Sequence, residues 1–190
     1  MSNSLSVPNS LSPKTTEAIN RVSTSSRATE QFLRFHLVPN TTALLPIQQV
    51  TEVLTIPNSQ IVPIFQMPAW VMGVYNWRGE ILWIVDLGHL VGLTPWYQQA
   101  SGASAYKALV LQASNQAAST NLKSQMIGVV VNRIEDIEWC NPDLIQSAPS
   151  STVTPELARF LRGYWLKSNG DMLAIIEGQA IIAAMPKSSV

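Results

Sequence analysis

His36 and His89 are the only histidines and Cys140 the only cysteine in this 190-residue chain, so proton transfer, thiol attack or soft-metal ligation has few places to reside. His89 follows Asp86 by three residues, a spacing that could set an imidazole near a carboxylate on one helical turn. Nucleophilic catalysis needs a third group, and no exposed serine or cysteine stands beside them. His36 falls on the polar side of an alternating segment and reads as a solvated position. Cys140, following Trp139 at a strand end, reads as a buried, inert thiol. A single cysteine also excludes an intrachain disulfide and a Cys-rich zinc site. The twelve acidic residues are scattered without metal-ligand spacing, and neither G-x-G-x-x-G nor G-x-x-x-x-G-K occurs. No catalytic residue, cofactor or metal is therefore expected. Two charges stand out against apolar neighbours, Glu52 in VTEVL and Arg78 after Asn76 and Trp77. Alternation puts Glu52 on the side of Val50, Leu54 and Ile56. A bridge between the two would be worth about 3–5 kcal/mol against rupture if buried, and about 0–1 kcal/mol if exposed.

The elements that would hold these residues are mostly strands. Leu33, Phe35 and Leu37 alternate with Arg34 and His36, as in a half-buried strand. Further runs rich in Val, Ile and aromatics lie at 50–56, 73–78, 80–87, 106–112, 126–132, 134–139, 163–168 and 171–176. Gly79 marks a tight turn, and Asn169-Gly170 a two-residue hairpin. Short helical segments are expected at 46–50, 86–91, 154–161 and 179–185, with polar loops at 94–105, 113–124 and 146–153. Residues 1–28 hold eight serines, three threonines and two prolines, and are expected to form a disordered tail before a folded unit over 29–190. The tail has no apolar core resembling a secretory signal. Residues 53–77 are uncharged but carry Pro57, Pro63 and Pro68, so they read as strands and not as a membrane span. Twelve basic against twelve acidic residues give zero net charge, which disfavours nucleic-acid binding. That alternative would rest on exposed Trp70, Trp77 and Trp96. A charged fraction of only 13% suggests a surface meant to be covered by partners.

The chain repeats itself. Residues 79–86, GEILWIVD, match 170–177, GDMLAIIE, in character at every position; 70–73 resemble 160–163, and 50–53 resemble 134–137. The expected fold is all-β, two similar subdomains of roughly five strands, each half closing as a small barrel. Alternation places Ile81, Trp83 and Val85 together, with a core role; the other role open to Trp77, Ile81 and Trp83 is a partner contact.

The stretch IFQMPAWVMGVYNWRGEILWIVDLGHLVGL, 64–93, resembles the signature of the CheW-like domain family: a proline, an aromatic, Gly-Val-x-Asn-x-Arg-Gly-Glu, an apolar strand and Asp-Leu. FLRFHLVPNTTALLPIQQVTEVL and MIGVVVNRIEDIEW resemble its opening segment and its second half. The resemblance implies two pseudo-symmetric five-stranded SH3-like β-barrel subdomains and no enzymatic activity. It implies a cytoplasmic adaptor between a CheA-type histidine kinase and the tips of methyl-accepting receptors, in chemotaxis, phototaxis or type IV pilus signalling. Asn76, Arg78 and Gly79 match the family's Asn-x-Arg-Gly, and Glu52 matches the acid paired with that arginine. The implied partner-binding face comprises Val50, Glu52, Val53, Asn76, Trp77, Arg78 and Gly79. Tyr75 and Trp77 stand where the family usually has aliphatic residues. The alternative of another class is a small-molecule-binding or hydrolytic barrel, which would need a deep polar pocket.

Overall fold

A computed structural model describes residues 29–99, 102–113, 125–147 and 153–186. The expected tail and the serine-rich stretches 114–124 and 148–152 lie outside these residues. Eleven strands are described: β1 (Glu30–Leu37), β2 (Thr41–Pro46), β3 (Val50–Pro57), β4 (Val71–Trp77), β5 (Glu80–Asp86), β6 (Ala105–Gln112), β7 (Met126–Val131), β8 (Arg133–Cys140), β9 (Ile145–Gln146), β10 (Leu161–Leu166) and β11 (Met172–Ile176). Three short helices accompany them, α1 (Leu87–Leu90), α2 (Pro155–Ala158) and α3 (Gly178–Ala183). Asp86 and Thr154 cap α1 and α2 through their side-chain oxygens. Among the described residues no helix is long and apolar enough to cross a membrane.

The strands form two sheets, in the orders β8-β1-β2-β11-β10-β9 and β3-β6-β7-β5-β4. The all-β, two-subdomain expectation holds, and the repeat is visible in detail. Hairpins β4–β5 and β10–β11 break register at the same place, between Val71 and Gly73 and between Leu161 and Gly163. Both close with a 2.8 Å backbone bond, Asp86 N to Trp70 O and Glu177 N to Phe160 O. Strand β9 beside β10 has its counterpart in a lone bridge, Val62 to Val74.

The halves do not close on themselves, however, and here the sequence expectation is corrected. The six-stranded sheet takes β1 and β2 from the first copy and β8–β11 from the second; the five-stranded sheet takes β3–β5 from the first and β6–β7 from the second. The cause is the length of the links. Within its own copy β3 would have to lie antiparallel to β1, and so parallel to β2, which requires the chain to travel back along a whole strand. Eight residues of strand span about 26 Å. Only Ile47–Gln49 join β2 to β3, and only Asn132 joins β7 to β8; three residues reach about 10 Å. Each short link therefore delivers the next strand into the opposite sheet.

The largest apolar cluster consequently lies between the sheets. It combines Leu33, Phe35 and Leu37 of β1 with Leu109 and Leu111 of β6, Ile127 and Val129 of β7, and Ile176 of β11. Each sheet also curls around a smaller cluster of its own, Ile56, Trp77, Leu82, Ile84, Ala108, Val110 and Val130 in one, Phe32, Leu44, Cys140, Leu173 and Ile175 in the other. Trp70 and Trp96 pack against these clusters, and Trp77 belongs to one. The three indoles are thus not a free stacking platform.

Three local expectations change. Strand β2, absent from the sequence reading, is buried on both faces from Ala43 to Pro46 and so lacks alternation. In β5 it is Leu82 and Ile84 that fill the sheet's own core, while Val85 faces the other sheet and Ile81, ahead of the β5–β7 pairing that begins at Trp83, is 74% exposed. At 167–171 only Gly170 has positive φ, so Asn169-Gly170 is not a two-residue hairpin. Gly170 N donates to Lys167 O and Lys167 N to Asp171 O, the wider hairpin in which a single left-handed glycine follows a turn.

Candidate functional site

Arg78 and Gly79 are the two residues left over when Trp77 pairs with Glu80 at the end of the β4–β5 hairpin. Both have positive φ, 54° and 84°, as a two-residue turn matching strand twist demands. Asparagine or glycine is the favoured occupant of the first position; an arginine there costs about 1–2 kcal/mol of backbone strain. Asn76 offsets part of this, its Oδ1 accepting from Gly79 N at 3.0 Å.

The turn sits at the β4 edge of the five-stranded sheet and Glu52 lies on β3, the opposite edge. Curling brings them together. Glu52 Oε2 accepts from Arg78 Nη2 at 2.8 Å and from Trp77 Nε1 at 3.2 Å, and the guanidinium lies 4.9 Å from the centroid of the Trp77 ring. The Arg78 side chain remains 69% exposed against 31% for Glu52. At that exposure the bridge contributes about 0–1 kcal/mol, so stability alone does not account for an arginine in a strained turn.

Of the residues singled out from the sequence, Glu52, Asn76, Trp77, Arg78 and Gly79 form one cluster. Val53 flanks it on the outer face of β3, 48% exposed. Val50 does not share Glu52's face. The β3–β6 register shifts between Val50 and Glu52, and the bulge turns Val50 toward the core between the sheets while Leu54 and Ile56 stay with Glu52. Beside the turn runs an open groove of about 640 Å³ along Trp77, Ile81, Leu82, Trp83 and Met126. Ile81 in that groove is a surface residue the sequence reading assigned to the core; its position beside the Arg78 turn was the available signal.

The two histidines hold structural posts. Asp86 receives the backbone N–H of His89 at 3.1 Å, and that of Trp96 at 2.7 Å, in place of an imidazole. The His89 ring packs edge-on against Tyr97. His36 is not merely solvated: its Nε2 lies 2.7 Å from Glu135 Oε1 and its Nδ1 3.2 Å from Thr42 Oγ1. Arg34 Nε lies 2.7 Å from Glu135 Oε2 in the same cluster. Burial, foremost, pushes the Cys140 thiol up to about 11, leaving it protonated at neutral pH. Among the described residues no group of three or more His, Cys, Asp or Glu side chains is placed to hold a metal ion.

Glu138 bonds Lys167 Nζ at 2.9 Å and Arg34 Nη1 at 3.0 Å. The Lys167 bond, above all, holds its carboxyl below the usual glutamate range. A lowered folded value stabilises at pH above the unfolded one, near 4.3, and the gain disappears as pH falls through the folded value. Glu138→Gln should lower the melting temperature by about 3–6 °C at pH 7, for a charged hydrogen bond of about 1–2 kcal/mol. The gap to wild type should close below about pH 4, as thermal melts across pH 3–8 would record.

A CheW-like domain family model matches residues 31–185. The chain belongs to this family. Its members are scaffold adaptors and not enzymes. A curated Rhizobium etli protein described as "Probable chemotaxis protein CheW" is 28% identical over 117 residues, 61% of this chain; the chain spans only 65% of that relative's length. The crystal structure of the scaffolding protein TtCheW from Thermoanaerobacter tengcongensis superposes with a TM-score of 0.62 at 21% identity. The superposition covers 79% of this chain and 90% of that one, and at this identity it establishes the shared CheW-like fold.

Proposed function

We propose that this CheW-like protein is a non-enzymatic adaptor of chemotaxis-type signalling that couples a CheA-type histidine kinase to the cytoplasmic tips of methyl-accepting receptors. Its partner-binding face is the cluster of Glu52, Asn76, Trp77, Arg78 and Gly79, bordered by Val53, with Val50 left out because it turns toward the core between the sheets. The same proposal includes a cytoplasmic location with recruitment to receptor arrays, pathways of chemotaxis, phototaxis or type IV pilus motility, and an SH3-like barrel description of each sheet. One observation carries the site: a largely exposed arginine occupies a left-handed turn position, held by a carboxylate from the opposite sheet edge. A strained residue whose bridge adds little to stability is a candidate for function.

Arg78→Ala tests it. Removing an arginine at the centre of an interface costs about 2 kcal/mol or more, roughly 30-fold in affinity. The variant should melt within about 3 °C of wild type, since the lost bridge is exposed, yet fail to retain the kinase and receptor in pull-downs from the native host. Retention equal to wild type would remove Arg78 from the site.

A further inference from the structure

We propose that Trp77 is a positioning residue for Arg78, acting through its indole N–H. This rests on the partner-binding role given to Arg78 above and adds what fixes that guanidinium in place. Glu52 Oε2 receives two donors, Arg78 Nη2 at 2.8 Å and Trp77 Nε1 at 3.2 Å. The two donors differ in freedom. Arg78 is a long side chain, 69% exposed, able to sample many rotamers. Trp77 is only 9% exposed and packed in the cluster with Ile56, Leu82 and Ile84. Its ring has one place to be, so its N–H is a donor fixed relative to the sheet.

Glu52 alone would be a poor anchor, because a partly exposed carboxylate holds an exposed arginine weakly. The buried indole N–H selects one carboxylate position, and with it the point to which Nη2 is drawn. The indole face does the rest, lying 4.9 Å from the guanidinium carbon in cation–π geometry. One aromatic side chain thus places both members of the bridge, and the guanidinium donors not given to Glu52 are presented in one direction. An aliphatic residue at this position could fill the core but could neither donate to Glu52 nor stack under Arg78. A guanidinium presented in one direction loses less conformational entropy when a partner acceptor arrives.

The test uses the full chain, labelled with ¹⁵N. In wild type the assigned Trp77 indole ¹H–¹⁵N cross-peak should carry the downfield shift of a hydrogen-bonded N–H, and that shift should be lost in Glu52→Ala, which removes the acceptor. In Trp77→Phe, which keeps a ring beneath the guanidinium but loses the N–H, the Arg78 Nε–H resonance should collapse into that of free arginine side chains. Partner retention should fall about 5- to 10-fold while the melting temperature changes by less than about 4 °C. An indole peak unmoved by Glu52→Ala overturns the proposal. So does a Trp77→Phe variant with wild-type Arg78 resonances. If Arg78→Ala keeps full binding, the site reading fails, and the two spectroscopic arms, which need no partner, still decide whether Trp77 positions Arg78.

Discussion

A fragment of residues 29–99, the first copy of the repeat, should give no cooperative monomeric unfolding transition. It contains β1–β5, the strands that a self-contained half would need, but the exchange of strands between copies removes nearly all their partners. β1 loses β8, β2 loses β11, β3 loses β6 and β5 loses β7. What remains is two isolated hairpins, β1–β2 and β4–β5, each marginal at best in water. The cluster between the sheets also loses its β6, β7 and β11 residues. Far-ultraviolet dichroism with heating should give a broad, featureless curve where the full chain gives a sigmoid, a loss of essentially the whole folding free energy. Residues 102–186 supplied in trans should restore the transition by furnishing β6–β11. A sharp transition in the fragment alone, monomeric by sedimentation, would mean that each copy can close on itself.

Gly73→Ala should cost about 3–5 kcal/mol, or roughly 6–20 °C in melting temperature. At φ 141° a side chain is strained already, and a Cβ would stand 2.2 Å from Val62 O, a backbone atom unable to step aside alone. Moving it breaks the paired 2.9 Å bonds between Val62 and Val74. Gly79→Ala is the control. Its φ of 84° is also positive but nothing lies within 4 Å of the added Cβ, so only backbone strain of about 1–2 kcal/mol is expected. Equal losses at the two positions would show that the close approach at Gly73 carries no weight.

Much of this architecture was legible in residue order, for identifiable reasons. Strand β1 announced itself because Leu33, Phe35 and Leu37 meet one core while Arg34 and His36 face the ion cluster. The repeat was legible because both copies keep a glycine at the hairpin bulge, Gly73 and Gly163, and an acid at the strand end, Asp86 and Glu177. Glu52 and Arg78 were legible as charges in apolar surroundings, and they meet. The exchange of strands was not, since collinear similarity says which segments are alike and nothing about which copy pairs with which. The link lengths held the answer, but weighing them requires knowing that β2 exists, and β2 hides because Ala43, Leu44 and Leu45 are all buried. The face of Val50 was lost to a bulge, which reverses parity without a glycine to mark it. Ile81 departs from its alternating face because β5 runs two residues ahead of its pairing with β7, which starts at Trp83.

The crossed connectivity also has a cost in time. Strands β1 and β2 leave the ribosome first, yet β11, which pairs with β2, is complete only at Ile176, about 130 residues after Pro46. At a synthesis rate of 5–20 residues per second, that interval is about 7–26 s. Through it Leu44, whose cluster includes Leu173 and Ile175 of β11, lacks its covering residues, long enough for encounters between neighbouring nascent chains. Yield in a heterologous host should therefore depend on translation speed and on holdase chaperones more than the modest size of the product suggests.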